Sequence, residues 1–360
     1  MQSTTTGSSS TSTSTLYPKI TTHISEVLKT LRHQNRIPER SQSGGPQDEI
    51  PLSPIPIIGT IKLHGTHADI LITPSNTITL QSRNNSNLLP TADNHEFAAT
   101  MMSKQDTMLR LRDMFVTRWK ELNPGAQLDE ALPVTIAGEW IGTKIQKHVA
   151  ISRLSKRLVI ISTKINGQWV PDSDYAAIEA AADDIYNISR GGIYHSILDP
   201  SNPQTTITEL KKLAEKVAAR CPFAATFGVE GEGEGLVWKL VPYMSDSSLW
   251  FKTKGGRFKP TYTPAPKKLS ANSEEKREAA LGLAKAWVSE QRLEQGWDYL
   301  REKGIPRDMK GIGEFLKWVQ LDVLAEEKGY IGEHRIDEGI LRQAMIGIAK
   351  PWYLRKVAEG

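Results

Sequence analysis

Residues 58–70 read IGTIKLHGTHADI, with Lys62 near their centre. Apolar residues alternate with small or polar ones on both sides, the pattern of two strands, and KLHG is the short connection between them. A lysine at a strand end is ordinary in isolation. It gains weight from the strings that follow in order: SRN at 82–84, GEWIG at 138–142, KRLVII at 156–161, EGLVWK at 234–239 and FKTKG at 251–255.

Working outward, ADILI (68–72) and TITLQ (77–81) are joined through Pro74, Ser75 and Asn76, which predicts a hairpin. A helix is expected over about 94–122, with Leu111, Phe115, Trp119 and Leu122 on one face and a stop at Asn123-Pro124-Gly125. LPVTIAGEWIG (132–142) reads as a strand entering a loop. KRLVIISTKI and QWV flank Asn166-Gly167, the dipeptide that best suits a two-residue hairpin turn. Helices near 173–187 and 206–219 precede two last strands, EGLVWKLV and SLWFKTK. Local hairpins outnumber regular crossovers, so the expected class is α+β, with antiparallel sheets and helices.

The texture changes after Pro260. TYTPAPKKLSAN (261–272) reads as a linker, and Asn272 with Glu275 forms a helix-capping pair. Helices are expected near 273–290, 291–303, 311–328 and 336–348. The stretch lacks the alternating runs that a five-stranded OB-fold needs. The predicted organisation is a disordered Ser/Thr tract (1–15), an N-terminal extension and linker (16–54), a compact domain (55–260) and an all-helical C-terminal domain (261–360). Within the extension, Ile24, Val27, Leu28 and Leu31 share one face of a short helix over 22–33.

A chain of 360 residues, 39% hydrophobic and 24% charged, has ample material for a core. One cysteine, Cys221, rules out an internal disulfide and suits a buried small apolar group. Apolar runs are too short to span a bilayer, and the N-terminus lacks the basic-then-apolar pattern of a secretory signal. A mitochondrial presequence would carry arginines, and the first is Arg32. The chain thus reads as soluble and intracellular, in cytoplasm or nucleus, with mitochondrial import left open. The net charge of +4 permits nucleic-acid binding without demanding it.

Taken in order, the six motifs resemble the nucleotidyltransferase motifs of ATP-dependent polynucleotide ligases. The nearest branch is that of RNA ligase 2, where a histidine, here His64, fills the place of the aspartate of DNA ligases and capping enzymes. The resemblance covers roughly residues 55–260. It implies a nucleotidyltransferase (ATP-grasp-like ligase) domain that uses ATP with Mg2+ or Mn2+ and acts on RNA with 5′-phosphate and 3′-OH ends. Three readings of the motifs stay open beside it: a DNA ligase, a GTP-dependent capping enzyme, and a non-catalytic RNA-binding relative.

The resemblance also implies roles. Lys62 would attack the α-phosphate of ATP and become lysyl-AMP. Because holding a lysine neutral at pH 7 costs about 4–5 kcal/mol, a lowered pKa is expected there, with Lys252, Lys254 and a divalent cation as its causes. His64 would orient phosphate, and Gly65 would let the backbone pass close to the nucleotide. Arg83 and Glu139 would hold the ribose. Of the three Glu-Gly pairs in VEGEGEGLVWK, only Glu234-Gly235 runs directly into an alternating strand, so Glu234 is the expected metal-organising carboxylate and Lys239 a phosphate-facing lysine. Lys252 and Lys254, two apart on a strand, point the same way toward a transferring phosphoryl group. Lys144, Lys147 and Arg153 would belong to an RNA-backbone track.

Two departures stand out. His67 takes the place of an asparagine in the phage enzyme's KIHGTN. KRLVIIS lacks the aromatic that usually stacks on adenine and offers Val159, Ile160 and Ile161, of which Ile161 is the residue expected to cover the base.

Overall fold

The strand that ends at Lys62, β1 (Ile55–Lys62), is an inner strand of a four-stranded antiparallel sheet. Its order is β10 (Phe251–Lys254), β9 (Gly235–Leu240), β1, β8 (Ile193–Leu198). The structure, a computed structural model, describes residues 16–35, 52–93, 95–259 and 273–359. The Ser/Thr tract, the linker over 36–51 and the proposed cap at Asn272 lie outside these residues.

A second sheet of six strands runs β3 (Ile78–Gln81), β2 (Thr66–Ile72), β4 (Val134–Ile141), β5 (Arg157–Ile165), β6 (Gln168–Trp169), with β7 (Ile185–Asn187) added parallel to β5. The remaining pairings are antiparallel. The Asn166-Gly167 turn lies between β5 and β6, with both residues at positive φ.

Strand alternation then distributes side chains to layers. Leu236, Trp238 and Leu240 of β9 enter a core with Ile57 and Ile61 of β1. Val27, Leu28 and Leu31 of α1 (Ile24–Gln34) and Leu210 and Val217 of α4 (Pro203–Ala219) close that core. The N-terminal helix is therefore packed into the body of the protein. The other face of the six-stranded sheet is covered by α2 (Phe97–Met102) and α3 (Gln105–Leu122), through Phe97, Met101, Met108, Leu111 and Phe115. A smaller cluster of Tyr17, Ile20, Trp169 and Trp250 packs on Ile161 of one sheet and Val237 of the other.

Two expectations about elements are corrected, and one strand is added. The helix expected over 94–122 is two helices. His95 and Glu96 have φ of +53° and +67°, so the first cannot start before Phe97, and Ser103-Lys104 separates it from α3. The helix expected over 173–187 is replaced by 3₁₀ turns and β7. Ile185 pairs beside Leu158 and is buried with Tyr175 and Ile178, which outweighs the helical preference of the alanine-rich run. The strand β8, not anticipated from IYHSIL, pairs with β1 over Ile55–Thr60.

Residues 273–359 are α-helical with short connections: α6 (Ser273–Trp287), α7 (Glu290–Glu302), α8 (Ile312–Glu326), α9 (Lys328–Glu333) and α10 (Glu338–Glu359). They enclose their own core around Phe315, Val319, Met345 and Tyr353. Hydrogen bonds and ion pairs tie this region to the sheets. Glu302 accepts from Ser82 at 2.6 Å, Asp298 meets His95 at 3.1 Å, and Glu326 meets Lys252 at 2.5 Å.

Candidate active site

Glu234 is the residue around which the site is built. It immediately precedes β9, its side chain is buried, and three cationic or ionisable groups reach it. Lys62 Nζ donates to Oε2 at 2.8 Å, His64 Nδ1 lies 3.4 Å from the same oxygen, and Lys254 Nζ lies 3.3 Å from Oε1. The sheet produces this meeting. Lys62 is paired with Gly235 in the β1–β9 ladder, and Lys254 is paired with Gly235 in the β9–β10 ladder, so the strand ends carrying the three groups coincide. Burial alone would push the Glu234 carboxyl up, but Lys62, Lys254 and His64 outweigh it and hold it well below the usual carboxylate range.

Lys62 departs from expectation. Burial presses its amine toward neutrality, yet the carboxylates of Glu234 and Glu139 overcome that pressure and its pKa is raised. The expected lowering falls on Lys252 instead. Burial there is only partly offset by Glu326, and Lys254 and Lys62 add repulsion, bringing it down to about 8.

Gly65 lines both cavities and has no room for a side chain. A Cβ at this position would lie 2.4 Å from the Trp140 carbonyl oxygen, so the loop is pressed against β4. The Gly65 N–H donates to Glu139 Oε1 at 2.8 Å, which orients that carboxylate toward Lys62. Burial raises the Glu139 pKa despite the opposing influence of Lys62, His67 and this N–H.

Two cavities meet at Lys62, sharing Lys62, Leu63, Gly65, Glu139, Lys252 and Glu326 among their walls. The first, about 230 Å³, extends past Thr60 and Ile61 to Ile161, Val237, Arg83 and His67. The second, about 300 Å³, is bordered by His64, Glu234 and Lys254, and by Arg257, Lys259, Lys285 and Arg292. His64 Nε2, on the ring that packs 4.8 Å from Phe258, is buried and has no hydrogen-bond partner among the described residues.

The structure thus brings Lys62, His64, Gly65, Arg83, Glu139, Ile161, Glu234, Lys252 and Lys254 to one divided cleft. It does not bring Lys239 there. Lys239 is buried and paired with Asp172 at 2.6 Å, donates to Ser162 at 3.0 Å, and lies 3.7 Å from the centre of the Trp250 ring. The phosphate-facing role is therefore corrected: Lys239 serves a buried ion pair. Burial lowers its pKa in spite of Asp172. Lys144, Lys147 and Arg153 are exposed on the segment between β4 and β5 and line neither cavity. Trp140 is buried against Phe97 and donates to the His95 carbonyl, a packing role. Cys221 is buried at the start of a short helical turn, Pro222–Ala225.

Motif reasoning missed the contributors from outside the central domain. From the N-terminal segment, Tyr17 and Lys19 line the first cavity, and the Tyr17 carbonyl accepts from Arg83 Nη1 at 2.6 Å. From the helical region come Trp318, Asp322 and Glu326. In the sequence, LYPKI directly after the Ser/Thr tract was the available sign of a docked segment. No comparable sign marks the three residues of α8.

Fold and site together define an α+β protein with antiparallel sheets, a lysine-centred cleft where the two sheets meet, and a helical C-terminal region. No family model matches the chain, and no curated protein does. Among solved structures it is similar to Naegleria gruberi RNA ligase with PPi, at a TM-score of 0.40 and 12% identity over 67% of this chain and 56% of that one. It is also similar to a mutant of that ligase with AMP and Mn, at a TM-score of 0.38 and 15% identity over the same shares. The chain spans little more than half the length of those structures. No helix among the described residues is long and apolar enough to cross a membrane.

Proposed function

We propose that the protein is an ATP-dependent RNA ligase that works through a covalent lysyl-AMP at Lys62, with residues 55–260 as its adenylyltransferase domain and 261–360 as a helical domain that helps grip RNA. One observation carries the reading. A buried-carboxylate-bound amine, Lys62, stands where a cavity bounded by Ile161 and Val237 meets one in which lysines and arginines outnumber the carboxylates. Such a division suits a nucleoside triphosphate, with the base on the apolar side, the phosphates among the cations and the reacting phosphorus at the amine.

In this reading the neutral Lys62 amine attacks the α-phosphorus. An N–P bond forms, the bond to the bridging oxygen breaks, pyrophosphate leaves with the electron pair, and the nitrogen gives up a proton. An oxygen of an RNA 5′-phosphate then attacks the same phosphorus and releases Lys62. Finally a 3′-hydroxyl attacks the RNA phosphorus and expels AMP. Lys252 and Lys254 stabilise the charge that develops on the phosphoryl oxygens, and His64, in the wall of the second cavity, orients the departing pyrophosphate. Arg83 and Glu139 are the ribose ligands.

Among the described residues no group of three or more His, Cys, Asp or Glu is arranged to hold a metal ion. Glu234, contacted by Lys62, His64 and Lys254, would hold Mg2+ or Mn2+ through water, since such ions keep much of their hydration. Such an ion would neutralise phosphate charge. It would also compete with Lys62 for Glu234, weakening the contact that keeps the amine protonated.

The test is incubation of the full chain with α-labelled ATP and a divalent cation, followed by denaturing electrophoresis. Label on wild type that is lost in Lys62→Ala is expected. Label from GTP and none from ATP would identify a capping-type enzyme, and no label from either would identify a binding module. Nicked RNA and nicked DNA duplexes given to the labelled protein then separate RNA ligase from DNA ligase.

A further inference from the structure

The cavity read as the base site has aliphatic side chains from both sheets, Ile161 on β5 and Val237 on β9. A purine is a flat, polarisable ring system, and an aromatic neighbour holds it more directionally than an aliphatic one. The sheets do not provide that neighbour at Ile161 or Val237, but the N-terminal segment brings one.

Tyr17 is 7% exposed and lines the same cavity, in the cluster that packs directly on Ile161 and Val237. Its ring is fixed on three sides: 5.5 Å from Trp169 in an edge contact, 5.6 Å from Trp250 and 6.1 Å from His67. Its backbone is fixed as well. The Tyr17 N–H donates to the buried Asp69 at 3.1 Å, and its carbonyl accepts from Arg83. Four residues on, the Thr21 carbonyl accepts from the N–H of Lys252, so the segment is stitched to the strand that carries the paired lysines. Trp318 also reaches this cavity, but its N–H is committed to Asn84 and its ring stacks on Tyr299. The cavity of about 230 Å³ remains open with Tyr17 in place.

We propose that Tyr17 is a specificity-determining residue of the nucleotide site, supplying the aromatic wall for a purine base that the β5 segment does not provide. The inference rests on the reading of the cleft as an ATP site. It makes residues 16–21 part of the site rather than an appendage to it, and gives Arg83 a second duty as the anchor of the segment.

The experiment is calorimetric titration of the full chain with ATP and, separately, with inorganic tripolyphosphate. Wild type, Tyr17→Leu and Tyr17→Phe are compared. Tyr17→Leu is expected to bind ATP about 10-fold more weakly, the usual scale for losing one base–aromatic contact. Its tripolyphosphate affinity should be unchanged, and Tyr17→Phe should match wild type for both ligands. Tyr17→Met, whose flexible side chain fills the same space, carries the comparison if the leucine variant does not fold.

An equal loss for both ligands would mean that Tyr17 merely supports the fold and would overturn the proposal. Unchanged or tighter ATP binding in Tyr17→Leu would also overturn it, tighter binding meaning that the ring occupies the place of the base. Wild type that binds tripolyphosphate but not ATP would remove the ATP-site reading itself, and the failure would then appear before any variant is compared.

Discussion

Lys62 Nζ lies 2.8 Å from Glu234 Oε2, and the buried carboxylate raises the pKa of an amine that itself faces the cleft. A nucleophilic role for Lys62 therefore requires that Glu234 be drawn away or balanced before the amine can react. In the proposed reaction the pair would be a latch on the amine as well as a way of holding it in place.

The latch can be read by titration. Competitive acylation of Lys62, followed by mass spectrometry across pH, should show an amine that becomes reactive only at higher pH than exposed lysines of the same chain. In Glu234→Gln the opposite charge that raises the Lys62 pKa is gone, so its midpoint moves to lower pH. A midpoint unchanged in that variant would mean that Glu139 sets the charge state of Lys62.

Glu326 occupies two of the cations a phosphate would need. It pairs with Lys252 at 2.5 Å and with Arg292, and the two cations hold its carboxyl well below the usual range against the effect of burial. Arg292 also keeps Asp322 at 2.9 Å, so Glu326→Gln should release Lys252 alone and tighten tripolyphosphate binding several-fold, up to about tenfold, or ~1.4 kcal/mol. Weaker binding in this variant would show that Glu326 positions the cations instead of competing for them.

Lys239 and Asp172 should behave as a structural pair. Lys239→Met strands a buried carboxylate and is expected to cost about 3–5 kcal/mol in unfolding free energy. Adding Asp172→Leu should recover much of the loss. ATP labelling per folded molecule should be unaffected in the double variant. A labelling defect without a stability defect would return Lys239 to the phosphate site.

Acid should act through Glu234 and Glu326. Both have folded pKa values far below the ordinary 4.5, so their stabilising contribution is complete above that value and is lost as pH falls through the folded values. Thermal unfolding followed from neutrality to about pH 3 should show a falling midpoint in the acid range, and the fall should be shallower in Glu326→Gln. Equal slopes for the two proteins would exclude Glu326 as a contributor.

Local order was legible where side-chain periodicity and turn chemistry agree. The β5–β6 hairpin follows from Asn166-Gly167, the pairing of β2 with β3 from its polar turn, and the α3 face from Leu111, Phe115 and Trp119. Where two signals conflict, tertiary pairing wins. The alanine-rich run at 176–182 has helical preference, but Ile185 gains more by entering the sheet beside Leu158. For the site, spacing alone put Lys252 and Lys254 on one face of a strand, and both line the basic cavity.

By itself, the sequence determined the α+β character, the helical C-terminal region, and the order in which candidate lysines and carboxylates enter the chain. The tertiary structure decided what each of them faces. A strand's period of two puts Val237 and Lys239 on the same side, yet Val237 lines the cleft while Lys239 is buried against Trp250 and Asp172. The same limit applies to Lys62, whose charge depends on a carboxylate 172 residues away, and to Tyr17 and Glu326, which reach the cleft from outside the central sheets. Periodicity is a property of neighbours in the chain. Charge state and cavity shape belong to neighbours in space, which folding alone brings together.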